Sequence, residues 1–193
     1  MQIGDCLYFA PGIRFQDLKL DSPEVVQQFK VRIEGYYLEP AGLLAEKRFV
    51  DKYAFASVLL LASAIDGMSH FEPQPGKKGN KEQYVAWAHL YVPSLPTEDM
   101  ALKFYKQIRC GVVHEARARE GGVFTTETGE PIKIEKGLMA VNPQRFGPEV
   151  AQVLEAFCNR TANTPNLLQA FQDQIRKDFA AELQAIAPPS CGR

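Results

Sequence analysis

Apolar residues recur at helical spacing in the first part of the chain. Residue Ser22 is suited to capping a helix, and Pro23 stands at the first helical position. The apolar residues that follow share one stripe of a helix: Val25, Val26, Phe29, Ile33 and Tyr36. The pattern therefore predicts an amphipathic helix from Pro23 to Leu38.

A second segment is apolar on almost its whole circumference. It runs from Tyr53 to Ile65 and is closed off further along by Pro73, Pro75 and Gly76. A helix that is apolar all round is normally buried, so we expect this helix at the centre of the core.

Further helices are predicted where polar and apolar positions again follow helical spacing. Thr97 followed by two acidic residues is a good helix start, because a hydroxyl caps free amides and acids suit the positive end of the dipole. The predicted helices span residues 82–92, ended by Pro93, then 98–116, 148–159 and 166–186.

Between these helices, residues 121–142 change to a β pattern. β-branched residues surround Thr128, Gly129 and Pro131, which predicts a β-hairpin with a third short strand near Leu138. The segment from Cys6 to Phe15 is interpreted as a strand that pairs with this hairpin. The predicted fold is mainly α: one helical domain over residues 1–193, with 121–142 as a β-hairpin insertion after the helix at 98–116.

Composition narrows the class of protein. The chain has 193 residues, of which 46% are apolar, enough for one sizeable core and too many for intrinsic disorder. Lysine plus arginine number 22 and aspartate plus glutamate 23, a net charge of -1, which excludes nucleic-acid binding through overall positive charge. The apolar run 53–65 is interpreted as too short to cross a bilayer, and the N-terminus lacks a signal pattern, so a soluble, cytoplasmic protein without membrane contact is expected.

The four cysteines are far apart and form no metal-ligand spacing. They include no C-x-x-C pair: Cys6, Cys110, Cys158 and Cys191. We therefore expect reduced thiols and neither a metal nor another cofactor.

Three histidines are candidates for acid–base chemistry. His70 lies four residues after Asp66 on a predicted helix, within reach of a local partner, and His89 lies in an apolar context typical of the core. His114 differs because Arg109 precedes it by five positions on one predicted helix.

An arginine next to a histidine suits phosphodiester chemistry without a metal. The guanidinium can hold a phosphate and stabilise its developing charge, while the imidazole transfers a proton. On an ideal α-helix, however, five positions separate side chains by about 140° and about 7.5 Å. Arg109 and His114 then converge only if Gly111 loosens the helix, if the long arginine reaches around, or if a second protomer completes the site.

The run R-C-G-V-V-H-E-A at Arg109 to Ala116 resembles the R-x-x-x-x-H signature of the HEPN superfamily. The apolar early helix ending in A-I-D-G-M, the small and apolar residues within the motif, and the acid after the histidine are also similar to bacterial HEPN proteins. The likeness extends from about Phe49 to Phe171, with Pro23 to Leu38 belonging to the same bundle.

This resemblance implies a homodimeric helical bundle. It further implies a metal-independent endoribonuclease acting in a toxin–antitoxin or antiviral system, with Arg109 and His114 as the catalytic pair and an antitoxin or regulatory protein as a partner. Active members commonly have Asn, Asp or His after the arginine, where this chain has Cys110, a poor hydrogen-bond donor. Other HEPN domains bind RNA, nucleotides or proteins without catalysis, which is the alternative function.

Local positive charge supplies candidate RNA contacts. Five residues in the loop before residue 82 and just after the motif are expected to contact the RNA backbone: Lys77, Lys78, Lys81, Arg117 and Arg119. The alternative interpretation is that the loop is exposed to solvent and contacts no RNA.

The sequence is also compatible with a purely structural role of the Arg109–His114 motif. In that case Arg109 pairs with Glu98 or Glu115, and His114 caps the end of its own helix.

Overall fold

The computed structural model describes residues 2–3, 6–77, 79–110 and 122–186. Most of these residues are helical, with short strands in two small sheets, so the predicted mainly α class is confirmed. By its contacts the chain forms two compact units, one of Met1–Tyr36 with Phe157–Arg193, the other of Tyr37–Ala156.

The first unit begins with a small antiparallel sheet. Strands β1 (Gln2–Ile3), β2 (Cys6–Ala10) and β3 (Ile13–Arg14) pair in that order, followed by a 3₁₀ turn at Phe15–Asp17. The interpretation that this segment pairs with the later hairpin is wrong, because β2 finds its partners among its immediate neighbours in the chain.

Helix α1 (Glu24–Ile33) confirms the first predicted amphipathic segment. Its apolar stripe is buried as expected, and the ring of Phe29 packs against the rings of Phe157 and Phe171 at 6.0 and 5.2 Å. Beyond Ile33 the chain continues as a π-helix, Glu34–Leu38. A β-carbon at Gly35 would lie only 2.5 Å from the ring of Pro11, which is too close for any side chain. Glycine is therefore required at this position.

The remaining helices of the first unit complete its core. Helices α7 (Pro165–Asp178) and α8 (Ala180–Ile186) occupy the segment predicted as one helix over 166–186, and Phe179 separates them. Phe171 and Ile175 of α7 are buried, and the ring of Phe171 packs against that of Phe29.

The second unit is organised around α3 (Val50–Phe71), with α2 (Glu39–Ala45), which was not predicted, packed against it. The hydroxyl of Ser57, buried in α3, donates a hydrogen bond of 2.8 Å to the carbonyl of Ala41 in α2. Half of the most apolar window of α3 is buried. The predicted apolar helix is therefore present and packs against its neighbours, but it is buried only in part, and its ends lie beyond the predicted ones.

Helix α3 is the one described helix that is long and apolar enough to cross a membrane. Its 22 residues correct the interpretation that the apolar segment is too short. Core helices of soluble proteins pass the same test, so this is weak evidence for a span and is compatible with a soluble protein.

Helices α4 (Asn80–Tyr91) and α6 (Pro143–Asn163) also occupy predicted segments, with α6 starting five residues before the predicted Pro148. Residues Tyr84 to Ala88 of α4 are buried. A side chain of α6 reaches back toward the end of α4: the carboxyl of Glu149 accepts hydrogen bonds from the backbone and the hydroxyl of Ser94.

A three-stranded sheet occupies the predicted β segment. It contains β4 (Gly122–Phe124), β5 (Ile132–Glu135) and β6 (Leu138–Val141), in the order β4-β6-β5. The hairpin joins β5 to β6 through Lys136 and Gly137, whose φ angles of 51° and 82° suit a two-residue turn. The hairpin turn was expected at Thr128–Gly129, and this position is wrong. That segment is a loop, and the side chain of Asn142 holds it by donating a hydrogen bond to the carbonyl of Thr128.

Candidate functional site

The helix that carries Arg109 changes its winding along its length. It begins at Glu98, as predicted, where the hydroxyl of Thr97 accepts a hydrogen bond of 3.2 Å from the amide of Met100. The α-helical part, α5, ends at Lys103, and a π-helix follows from Phe104 to Cys110. Residues 111–121 lie outside the described chain.

A π-helix is rare, and single turns of it are frequent at functional sites. Its backbone hydrogen bonds join residues five positions apart, so side chains with that spacing approach one another. Here Tyr105 and Cys110, five positions apart, lie close enough that Cys110 adds to the effect of burial in raising the pKa of Tyr105. The helix predicted over 98–116 is therefore present in its described part, but from Phe104 it is a π-helix and not an α-helix.

An aspartate of the central helix holds Arg109. The guanidinium Nη2 donates to Oδ2 of Asp66 at 2.7 Å, and the side chains are 23% and 35% exposed. The alternative partner proposed from sequence, Glu98, instead lies 3.8 Å from Nζ of Lys77. Burial lowers the pKa of Arg109, but the hydrogen bond and the charge of Asp66 outweigh it, and the net pKa is raised.

Two tyrosines lie next to this ion pair. The guanidinium carbon of Arg109 stands 5.4 Å from the ring centre of Tyr105, a cation–π contact, and the Tyr105 ring lies 5.1 Å from that of Tyr84. Tyr84 is fully buried, and its hydroxyl has no hydrogen-bond partner. The arginine is thus held on one side by a carboxylate and on another by an aromatic ring.

Both tyrosines stay protonated over a wide pH range. Burial, reinforced by the negative charge of Asp66, raises the pKa of Tyr84 well above its ordinary value. Burial and the neighbouring Cys110 also raise the pKa of Tyr105. Neither phenol is therefore a base at neutral pH.

The three histidines occupy different places. His114 lies outside the described residues, so the expected convergence of Arg109 and His114 stays a prediction. His70 is exposed near the end of α3, with its ring edge-to-face on Phe71 at 5.2 Å. The Nδ1 atom of His89, in α4, is buried without a hydrogen-bond partner.

The predicted RNA contacts are partly described. Lys77 and Lys81 are exposed at a cavity of about 410 Å³, whose lining also includes Glu82, Glu98 and Asp99. The remaining candidates, Lys78, Arg117 and Arg119, lie outside the described chain. With three acids beside two lysines, the described lining of this cavity is not a positive surface.

The sequence pointed to Arg109 but not to its tyrosine neighbours. Tyr105 stands one helical turn before Arg109, a spacing at which side chains meet, and this was the available signal.

Among the described residues, no group of three or more histidine, cysteine, aspartate or glutamate side chains is placed to hold a metal ion. Comparison of the chain with protein-family models, with curated proteins and with solved structures found no match.

Proposed function

We propose that the protein is a metal-independent endoribonuclease that cleaves single-stranded RNA. One observation carries the proposal: Arg109 is oriented by Asp66 and Tyr105 and yet keeps 23% of its side chain exposed. A guanidinium fixed in this way can hold a phosphate with its remaining N–H groups and stabilise charge that develops on the phosphate oxygens.

In the proposed reaction the ribose 2′-hydroxyl attacks the adjacent phosphorus. The bond from O2′ to phosphorus forms, and the bond from phosphorus to O5′ of the next nucleotide breaks, leaving a 2′,3′-cyclic phosphate and a 5′-hydroxyl. His114 assists the proton transfer, and Arg109 neutralises the charge on the pentacovalent phosphorus. The spacing of five between these residues equals the hydrogen-bond step of the π-helix in which Arg109 lies.

The oligomeric state, biological role and partners of the proposed ribonuclease are inferred from the resemblance to HEPN proteins. A homodimer would bring two copies of the arginine and histidine to one groove. A role in toxin–antitoxin or antiviral defence, with an antitoxin or regulatory protein as partner, belongs to the same proposal. The RNA contacts of Lys77, Lys78, Lys81, Arg117 and Arg119 are proposed as well, with the acidic neighbours of Lys77 and Lys81 weakening those two.

A second candidate is a module that binds RNA, a nucleotide or a protein without cleavage. The ion pair with Asp66 counts against catalysis, because the carboxylate offsets part of the positive charge that a transition state would use, and it equally suits a structural role of Arg109. Cys110 also counts against catalysis, since a thiol after the arginine is a poor hydrogen-bond donor.

The deciding experiment incubates labelled single-stranded RNA with the purified protein in EDTA. For the ribonuclease we expect cleavage to cyclic-phosphate ends, lost in His114→Ala and reduced about 100-fold or more in Arg109→Lys, which keeps the charge but not the planar fork. His70→Ala is the matched control, because it removes an exposed histidine from another helix.

RNA binding measured on the same variants separates the two candidates. Binding that persists in His114→Ala while cleavage disappears supports the ribonuclease. Binding by the wild type with no cleavage supports the binding module, and cleavage that survives both His114→Ala and Arg109→Lys refutes the proposed mechanism.

A further inference from the structure

Among the described residues, the outer edge of the small sheet in the second unit has no paired strand. Strand β5 is the last strand in the order β4-β6-β5, and no other strand of the described chain pairs with its outer side. Its residues Lys133, Ile134 and Glu135 are exposed. An open edge of this kind is a template for pairing with another strand.

The register shows which backbone groups face outward. The amide of Asn142 donates to the carbonyl of Pro131, so this opposed pair is hydrogen bonded within the hairpin. Hydrogen-bonded and non-hydrogen-bonded pairs alternate along an antiparallel ladder, so Lys133 and Glu135 bond to β6. The N–H and C=O groups of Ile132 and Ile134 therefore point away from the sheet.

Natural proteins commonly guard an open edge with charge that repels a second strand. In β5 the two charged residues have opposite signs, and Nζ of Lys133 lies 3.4 Å from Oε2 of Glu135 on the same face. An edge with alternating signs can attract a copy of itself.

We propose that β5 pairs antiparallel with β5 of a second copy of this chain, with Ile134 on the two-fold axis. This register places Lys133 opposite the partner's Glu135 and Glu135 opposite the partner's Lys133, forming two ion pairs across the axis. A register centred on Lys133 or Glu135 would instead oppose like charges, so the charge pattern selects one arrangement.

The backbone and the apolar residues favour the same register. The outward N–H and C=O of Ile134 meet those of the partner's Ile134 and form two hydrogen bonds. The side chain of Ile134 is 39% exposed at the sheet edge, on the face that carries the buried Ile132 and Met139. Its contact with the partner's Ile134 covers this surface and extends the apolar face across the axis.

This interface is separate from the Arg109 site and does not depend on the proposed function. Its test is the oligomeric state of the whole protein, measured by sedimentation equilibrium over a range of concentrations. We expect a reversible, concentration-dependent self-association that adds to any association through the Arg109 groove. Lys133→Glu or Glu135→Lys should weaken it about tenfold, because each substitution turns two attractive cross-strand pairs into repulsive ones. The double variant Lys133→Glu with Glu135→Lys restores the attraction and, with it, the affinity of the wild type.

Lys103→Glu is the matched control, since it reverses another exposed lysine of the same unit that pairs with Asp99 on α5. The proposal predicts no change of the dimer in this variant. A wild type that stays monomeric up to about 0.5 mM overturns the proposal. A dimer that ignores both single variants, or that the double variant fails to restore, overturns it as well.

Discussion

Residue Trp87 offers a direct test of how a buried polar contact stabilises the second unit. Its indole Nε1 donates a hydrogen bond of 2.9 Å to Oε2 of Glu72, and both side chains are buried. In Glu72→Ala the indole N–H loses this acceptor in a place that water does not reach. A buried donor left without a partner costs about 1–3 kcal/mol.

The chain contains a single tryptophan, so its fluorescence reports on this site alone. With a urea dependence of about 2 kcal/mol per molar, a loss of about 2 kcal/mol lowers the unfolding midpoint by about 1 M. Glu72→Gln retains a side-chain oxygen as acceptor and serves as the control, with an expected loss about half as large or smaller.

A double-mutant cycle with Trp87→Phe isolates the hydrogen bond. Followed by circular dichroism, Glu72→Ala should cost about 1 kcal/mol less in the Trp87→Phe background, where no indole N–H is left unpaired. A coupling free energy near zero would refute the assignment of the stabilisation to this bond, even if each single variant is destabilised.

Three further predictions concern other parts of the fold. Gly35→Ala should destabilise the protein by about 1–3 kcal/mol in urea unfolding, because its β-carbon meets the ring of Pro11, whereas Gly42→Ala, which meets nothing within 4 Å, should be neutral or stabilising. Tyr84→Phe should raise the free energy of unfolding by up to about 1 kcal/mol, because it removes a buried hydroxyl without a partner. The pKa of Tyr84 is raised in the folded state. The wild type should therefore lose stability as the pH rises above about 10, where Tyr84 of the unfolded chain ionises, and the Tyr84→Phe variant should lose less. An equal loss in both proteins would contradict this reasoning. Thr97→Ala should cost about 1 kcal/mol in thermal unfolding, since the hydroxyl caps α5, and no change would show that the cap contributes nothing.

Sequence periodicity predicted most of the helices but not all of their geometry. The stripe of Val25, Val26 and Phe29, the apolar circumference of α3 and the start of α5 at Glu98 are local patterns, and the structure confirms them. The π-helical turns were not predicted, because five to seven residues are too few for the spacing of apolar positions to distinguish a π-helix from an α-helix.

The candidate site, like the helices, was predicted only in part from the sequence. Arg109 was singled out from its spacing to His114, a local feature that survives as a proposal. Its contact with Tyr105, four positions earlier on the same helix, is local and had a signal in the sequence, whereas its ion pair with Asp66 joins residues 43 positions apart. A contact of the second kind depends on how helices pack, and no short stretch of sequence predicts it.

What the sequence by itself determined is the mainly helical class, the approximate position of most helices and the residues able to do chemistry, because propensity, capping and amphipathic spacing act over a few positions. What only the tertiary structure decided is the pairing of the strands and the partner of each buried or charged group. β2 pairs within its own sheet, the hairpin turns at Lys136–Gly137, and Asp66 rather than Glu98 holds Arg109. The β2 pairing and the hairpin turn are short-range, but the local pattern allowed more than one pairing, and the folded chain selected among them. The partner of Arg109 depends on the packing of helices that are distant in sequence.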